Sequence, residues 1–179
     1  MVDGFCLIML SFLLLTCPPR WLAASILAAA FHELCHLGAI WLLGGQVLSF
    51  RAGARGAVLE VAGLSPWREA LAAAAGPVGS LLLLLFGGVF PGLALCGLGQ
   101  GLFNLLPVFP LDGGRILFRI LEALGLRKQA EKITAFVSWL TLGVVGGGCV
   151  FLGAPLAALF ILPLALRNIS CKEGRGIVQ

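Results

Sequence analysis

Hydrophobic residues are grouped along the chain in six long apolar segments, which polar and charged residues separate. Their approximate bounds are 4–17, 21–43, 67–90, 92–106, 133–152 and 155–167. A helix needs about 20 apolar residues to cross the hydrocarbon core of a bilayer. The pattern therefore predicts an all-α polytopic membrane protein with about six transmembrane helices. The first, fourth and sixth segments are short for a complete crossing.

The composition agrees with a membrane protein. Hydrophobic residues make up 60% of the 179 residues and charged residues only 11%, whereas soluble domains carry about 25% charged residues. The length allows one domain. We predict a single membrane domain over residues 1–170, followed by a short polar tail at 171–179 on the cytoplasmic side.

The basic residues predict an orientation. With six crossings, every Lys and Arg except Arg20 falls on the same side of the membrane, in a connection, in the C-terminal tail or at the segment end beside one of these. Cytoplasmic loops carry the excess of Lys and Arg, so both chain termini and the connections near the polar motifs below are predicted to face the cytoplasm. The net charge of +4 is explained by this orientation and by contact with anionic lipid headgroups, and it implies no nucleic-acid partner.

Two connections contain signals for local structure. Residues 46–61 contain two β-favouring pieces around a Gly/Arg turn, which predicts a short interfacial β-hairpin; an irregular loop is the alternative. Ser65 and Pro66 are typical of the N-cap and the first position of a helix. Gly76 and Pro77 lie inside that helix, where a proline is expected to cause a kink.

The second apolar segment contains the only two histidines of the chain, His32 and His36, with Glu33 between them. Residues at i and i+4 lie on one face of a helix, so both imidazoles can bind one Zn²⁺, and the adjacent glutamate can act on water as a general base. The alternative is an exposed polar face of a helix. In lipid such a face is disfavoured, since each ionisable group costs about 2–3 kcal/mol or more.

A catalytic zinc site needs a third protein ligand. Asp112 is the best candidate because it lies in a predicted broken helix at 104–114, where prolines interrupt the helix and Gly113-Gly114 allow tight turns. Irregular backbone at membrane depth is tolerated where it lines a wet cavity. Asp112 could instead be the N-cap of a helix from about 114 to 124. The other candidates are Glu60, Glu69, Glu122, Glu131 and a cysteine.

The motifs H-E-L-C-H at 32–36 and N-L-L-P-V-F-P-L-D-G-G at 104–114 together resemble those of the site-2 protease family of intramembrane zinc metalloproteases. The resemblance extends over the membrane core, including Ala75-Gly76-Pro77 and the predicted hairpin. It implies that His32, His36 and Asp112 bind zinc and that Glu33 is the catalytic base. It also implies that Asn104 helps to hold the substrate.

In overall plan the chain resembles the small, sporulation-type branch of that family, the best-known members of which process a pro-sigma factor at the cytoplasmic side. We expect no PDZ insertion between the segments and no CBS domain after Arg167. The resemblance implies a metalloendopeptidase that cuts a membrane-tethered substrate, such as a pro-sigma factor, an anti-sigma factor or a signal-peptide remnant. A regulatory membrane partner is a further expectation. The alternatives are a non-catalytic membrane scaffold of the same fold and a metal-ion transporter.

Overall fold

The computed structural model describes residues 18–53 and 56–151. The first and sixth apolar segments and the polar tail lie outside the described residues. The described residues form the elements α1 (Pro19–Leu42), β1 (Gln46–Gly53), β2 (Gly56–Ala62), α2 (Pro66–Leu82), a 3₁₀ turn (Leu83–Phe86), α3 (Pro91–Asn104), α4 (Asp112–Ala123) and α5 (Arg127–Phe151).

Three of these helical stretches are long and apolar enough to cross a membrane. They are Pro19–Leu42, Pro66–Phe86 and Arg127–Cys149, with 24, 21 and 23 residues, and they match the second, third and fifth apolar segments. The fourth segment forms α3, which has 14 residues. At 1.5 Å per residue this helix is roughly 21 Å long, less than the hydrocarbon thickness of about 30 Å, so it does not cross a bilayer by itself.

The helix boundaries follow local sequence signals in part. Ser65 is the N-cap of α2 and a proline occupies its first turn, which confirms the predicted start. Pro77 lies inside α2, and the α-helix continues on both sides of it. The helix α5 begins at Arg127 rather than near 133, because the polar residues before the apolar segment are good helix formers that extend the helix.

The connection between α1 and α2 is a two-stranded antiparallel hairpin. Its register runs from Gln46 opposite Ala62 to Gly53 opposite Gly56, with an irregularity after Val47. Gly44 and Gly63 have φ of 82° and 85°. A residue with a side chain rarely adopts this left-handed conformation, so the two glycines allow the chain to turn into and out of the hairpin.

The chain divides into two compact units, residues 1–103 and 104–179. In the first unit, α1 and α2 pack together, and small residues of the two helices such as Ala28, Ala70 and Ala72 are buried. In the second, Val108 and Leu142 form the core, against which Leu106 and Leu111 pack. The prediction of one domain over 1–170 stays a prediction.

Many large apolar side chains lie on the outside of the helices. Leu34, Trp41 and Phe136 are among those that are exposed. In water such a surface would be costly, whereas in a bilayer it faces hydrocarbon. Together with the three long apolar helices, this surface indicates a membrane protein.

Candidate metal centre

The two histidines form a buried pair on one face of α1. His32 is 2% exposed and His36 is 8% exposed. Their rings meet edge to face, with centroids 4.7 Å apart, and their Nε2 atoms are 3.1 Å apart. One helical turn separates the residues, as predicted, and both Nε2 atoms converge on the same point.

Each ring is held through its other nitrogen by a residue of α2. The Nδ1 atom of His36 lies 2.8 Å from the main-chain oxygen of Ala72, and the Nδ1 atom of His32 lies 2.8 Å from Ser80 Oγ. A carbonyl oxygen only accepts hydrogen bonds, so Nδ1 of His36 carries the proton and donates it. In the neutral ring, Nε2 of His36 then has the free lone pair that a metal ion needs.

Gly76 of α2 makes room for the histidine pair. A Cβ atom at this position would overlap the ring of His36 and would lie 2.8 Å from Nε2 of His32. Ala72, Gly76 and Ser80 are spaced by four residues, so they form one stripe along α2, which we call the histidine-facing stripe. From the sequence, Gly76 was expected only to contribute to a kink and to the family resemblance, and nothing singled out Ala72 or Ser80.

A signal for the stripe is present in the sequence. An alanine, a glycine and a serine at helical spacing indicate a helix face on which another helix can pack closely. The spacing does not indicate which helix packs against that face, because small residues occur throughout α2.

Glu33 is half-buried on α1. It follows His32 directly and precedes His36 by three residues, so its side chain starts beside the face that carries the two rings. This is the position that the H-E-x-x-H pattern requires of a general base that acts next to a bound metal.

Asp112 lies in the second unit, where it is 7% exposed and is the first residue of α4. The N-cap of this helix is Leu111, so the alternative interpretation of Asp112 as the N-cap of a helix starting near 114 is wrong. A carboxylate in the first turn is favoured by the positive end of the helix dipole.

The structural role of the two glycines after Asp112 differs from the tight turn that the sequence predicted. They lie within α4, and neither has a positive φ, so they do not form a tight turn. A Cβ atom at Gly113 would overlap the main chain of Leu105, and one at Gly114 would lie 2.6 Å from the main-chain nitrogen of Phe109. The glycines thus allow the irregular segment to lie directly against the start of α4.

The other candidate residues have different surroundings. Asn104 is half-buried and is the last residue of α3. Glu122 forms ion pairs with Arg119 at 2.7 Å and with Arg127 at 3.3 Å, which gives this carboxylate a structural role. Glu131 is exposed and Glu69 is half-buried.

His32 and His36 in the first unit and Asp112 in the second are buried side chains, and each offers an atom that can bind a metal ion. Their chemistry fits zinc, which is bound in catalytic sites by imidazole nitrogen and carboxylate oxygen atoms. The anchored rings of the histidine pair fit it as well, because histidine ligands usually donate their second ring N–H to a nearby oxygen.

Residues 86–145 match the model of peptidase family M50. The matched range includes Asn104 and Asp112, whereas the helix with the two histidines lies outside it. No curated protein gives a sequence match to this chain.

The fold resembles a solved structure of a site-2 protease from Methanocaldococcus jannaschii. The TM-score is 0.63 at 23% sequence identity, and the similarity covers 92% of this chain and 85% of the archaeal one. The chain therefore has the site-2 protease fold. The family match and this structural match together confirm the resemblance that the two sequence motifs indicate.

Proposed function

We propose that this chain is an intramembrane zinc metalloendopeptidase. The observation that carries the proposal is the buried pair of His32 and His36 on a helix that is long and apolar enough to cross a membrane. Two ionisable rings in such a helix are costly unless they have a function or partners. The match of residues 86–145 to a peptidase family and the site-2 protease fold support peptide hydrolysis as that function.

His32, His36 and Asp112 are the proposed zinc ligands. All three are buried, and the Nδ1 proton of His36 is committed to the oxygen of Ala72, which leaves Nε2 of that ring as a ligand. When bound, zinc polarises the scissile carbonyl and lowers the pKa of a coordinated water. A set of three protein ligands leaves a fourth position for substrate or water.

Glu33 is the proposed general base. Its carboxylate takes a proton from the attacking water and transfers it to the leaving amide nitrogen, so that the amine can depart. The half-buried position of Glu33 beside the histidine pair supports this role, because a carboxylate with limited access to bulk water can retain the proton between the two transfers.

The proposed substrate is a membrane-tethered protein, cut near the cytoplasmic side of the membrane. A chain that resides in the bilayer reaches a centre between membrane helices more readily than a soluble one does. A substrate helix protects its carbonyl groups by internal hydrogen bonds and must unwind before it is cut. The outer edge of the hairpin at 46–62 could bind the unwound chain by β-augmentation, and Asn104 is proposed to hold it at the centre.

The family resemblance leaves three classes of substrate open. A pro-sigma factor, an anti-sigma factor and a signal-peptide remnant are the candidates, each of them a chain tethered at the membrane. We propose an orientation with both termini and the active centre towards the cytoplasm, in line with the distribution of Lys and Arg.

Glu33→Gln tests the proposed function. The wild type and the variant are each co-expressed with tagged membrane-tethered candidates of the three classes, and the product size and the zinc content of the purified protein are measured. Glu33→Gln is expected to retain zinc and to lose cleavage, because the ligands remain and the base is gone. Glu131→Gln is the matched control, since Glu131 is an exposed carboxylate, and it should behave as the wild type.

Other outcomes separate the alternatives. Full cleavage by Glu33→Gln would exclude the proposed mechanism. A wild type that holds zinc but cuts none of the candidates would favour a scaffold, and metal flux into vesicles without cleavage would favour a transporter.

A further inference from the structure

We propose that Ser80 is a positioning residue for the zinc site. Its hydroxyl group fixes the orientation of the His32 ring. This inference rests on the proposed function and adds a residue to its machinery. Ser80 is fully buried, at 0% exposed, and its Oγ atom lies 2.8 Å from Nδ1 of His32. Ser80 and His32 come from different helices, so the bond ties α1 to α2 at the metal ligand itself.

The chemistry of the imidazole sets what this partner must do. When Nε2 of His32 binds a metal ion, the proton of the neutral ring is on Nδ1, and that N–H needs an acceptor. A site closed to solvent offers no bulk water for this purpose, and an unsatisfied buried N–H would oppose the ligand tautomer. With the metal bound, the hydroxyl of Ser80 would accept this bond and keep its own proton to donate to another acceptor.

The two rings are held in different ways. His36 is anchored by a main-chain carbonyl, that of Ala72, which no side-chain substitution removes. His32 is anchored by a side chain. The anchor on His32 therefore depends on the residue type at position 80, where serine supplies the oxygen.

Ser80 is also held in place from the other side of α2. A Cβ atom at Gly97 of α3 would lie 2.6 Å from the main-chain oxygen of Ser80 and 2.9 Å from a side-chain carbon of Leu83. The α3 backbone thus packs tightly against the turn that carries Ser80. Because this turn has no room to shift, the hydroxyl presents a fixed acceptor to His32.

Ser80→Ala tests the inference, with Ser25→Ala as the matched control. Ser25 is an exposed serine in the same unit, and its Oγ atom lies 3.4 Å from Sγ of Cys96. The purified proteins are titrated with Zn²⁺ against a competing chelator, the absorption spectrum of the Co²⁺-substituted proteins is recorded, and the melting temperature of each is measured. The wild type in the same series shows whether the chain binds zinc, and its cleavage of the tagged membrane-tethered candidates is measured in parallel, so failure of the proposed function is visible separately.

Ser80→Ala is expected to weaken zinc affinity by about 10–100-fold, the usual effect of removing a hydrogen-bond partner of a metal-binding histidine, and to change the Co²⁺ spectrum. Ser80→Thr, which retains the hydroxyl, should restore most of the affinity, and Ser25→Ala should match the wild type. Wild-type zinc affinity and an unchanged Co²⁺ spectrum in Ser80→Ala would overturn the inference. An equal loss in Ser80→Thr with a native melting temperature would also overturn it, because the hydroxyl would then not be the group that matters.

Discussion

Gly76 of α2 packs directly against the imidazole ring of His36, and a Cβ atom there would also come within 2.8 Å of Nε2 of His32. The absence of a side chain at position 76 is therefore what allows α2 to approach the two rings. A single added methyl group would have to displace the proposed ligands or push the helices apart.

Gly76→Ala is expected to lower zinc affinity by at least 10-fold and to reduce cleavage to a similar degree, because the rings can no longer converge. Zinc titration against a chelator measures this effect. Gly99→Ala is the control, since Gly99 lies in α3 with no atom within 4 Å of an added Cβ. It should leave zinc affinity unchanged and stabilise the fold by up to about 1 kcal/mol. Equal zinc affinity in both variants would contradict the role of Gly76.

Asp112→Asn is expected to abolish tight zinc binding while α4 remains folded. The amide has nearly the shape of the carboxylate but lacks the negative charge that a cation needs. Zinc content after dialysis and the circular dichroism of the helices measure the two effects. His32→Ala should lose zinc in the same way, whereas Glu131→Gln should keep it. Retention of zinc by Asp112→Asn would identify another residue as the third ligand.

Ser138→Ala is expected to destabilise the second unit by about 1–3 kcal/mol, the cost of removing the hydroxyl from a part-buried main-chain N–H that it accepts from. The Oγ atom of Ser138 accepts a hydrogen bond from the main-chain nitrogen of Phe109 at 3.0 Å and donates to the oxygen of Thr134 at 2.7 Å. It thus ties the irregular segment before Asp112 to α5. The melting temperature measures the loss.

Thr141→Val is the control for Ser138→Ala. The hydroxyl of Thr141 also bonds to a carbonyl one turn earlier in α5, that of Val137, at 2.9 Å, but the structure gives it no bond to the irregular segment. Its loss should therefore cost less than about 1 kcal/mol. A Ser138→Ala protein as stable as the wild type would show that the segment is held by its other contacts.

Deletion of residues 51–56 is expected to reduce cleavage several-fold without loss of zinc. The deletion removes the end of the hairpin and leaves the pairs from Gln46–Ala62 to Phe50–Leu59, so it shortens the edge that is proposed to bind substrate. Cleavage of a membrane-tethered substrate and zinc content are measured on the same preparation. Unchanged cleavage would count against β-augmentation as the way the substrate is held.

The sequence by itself determined the local features of this protein. Ser65-Pro66 marks the start of α2, as the structure confirms, and the prolines between Asn104 and Asp112 mark the break between α3 and α4. The spacing of His32 and His36 puts both rings on one face of α1. These features depend on residues within a turn or two of one another, so periodicity and backbone chemistry suffice to predict them.

Only the tertiary structure decided which groups surround the histidine pair. Nothing in the local pattern of α2 indicates that the oxygen of Ala72, the missing side chain of Gly76 and the hydroxyl of Ser80 meet the rings of α1. The role of Gly113 and Gly114 was also decided by the tertiary structure. Two adjacent glycines indicate a turn, but these two lie in α4, in close contact with the preceding segment. Such roles arise when two distant stretches of chain pack together. The free energy of that packing depends on shape and hydrogen bonding across the interface, and neither is encoded in the spacing along one element.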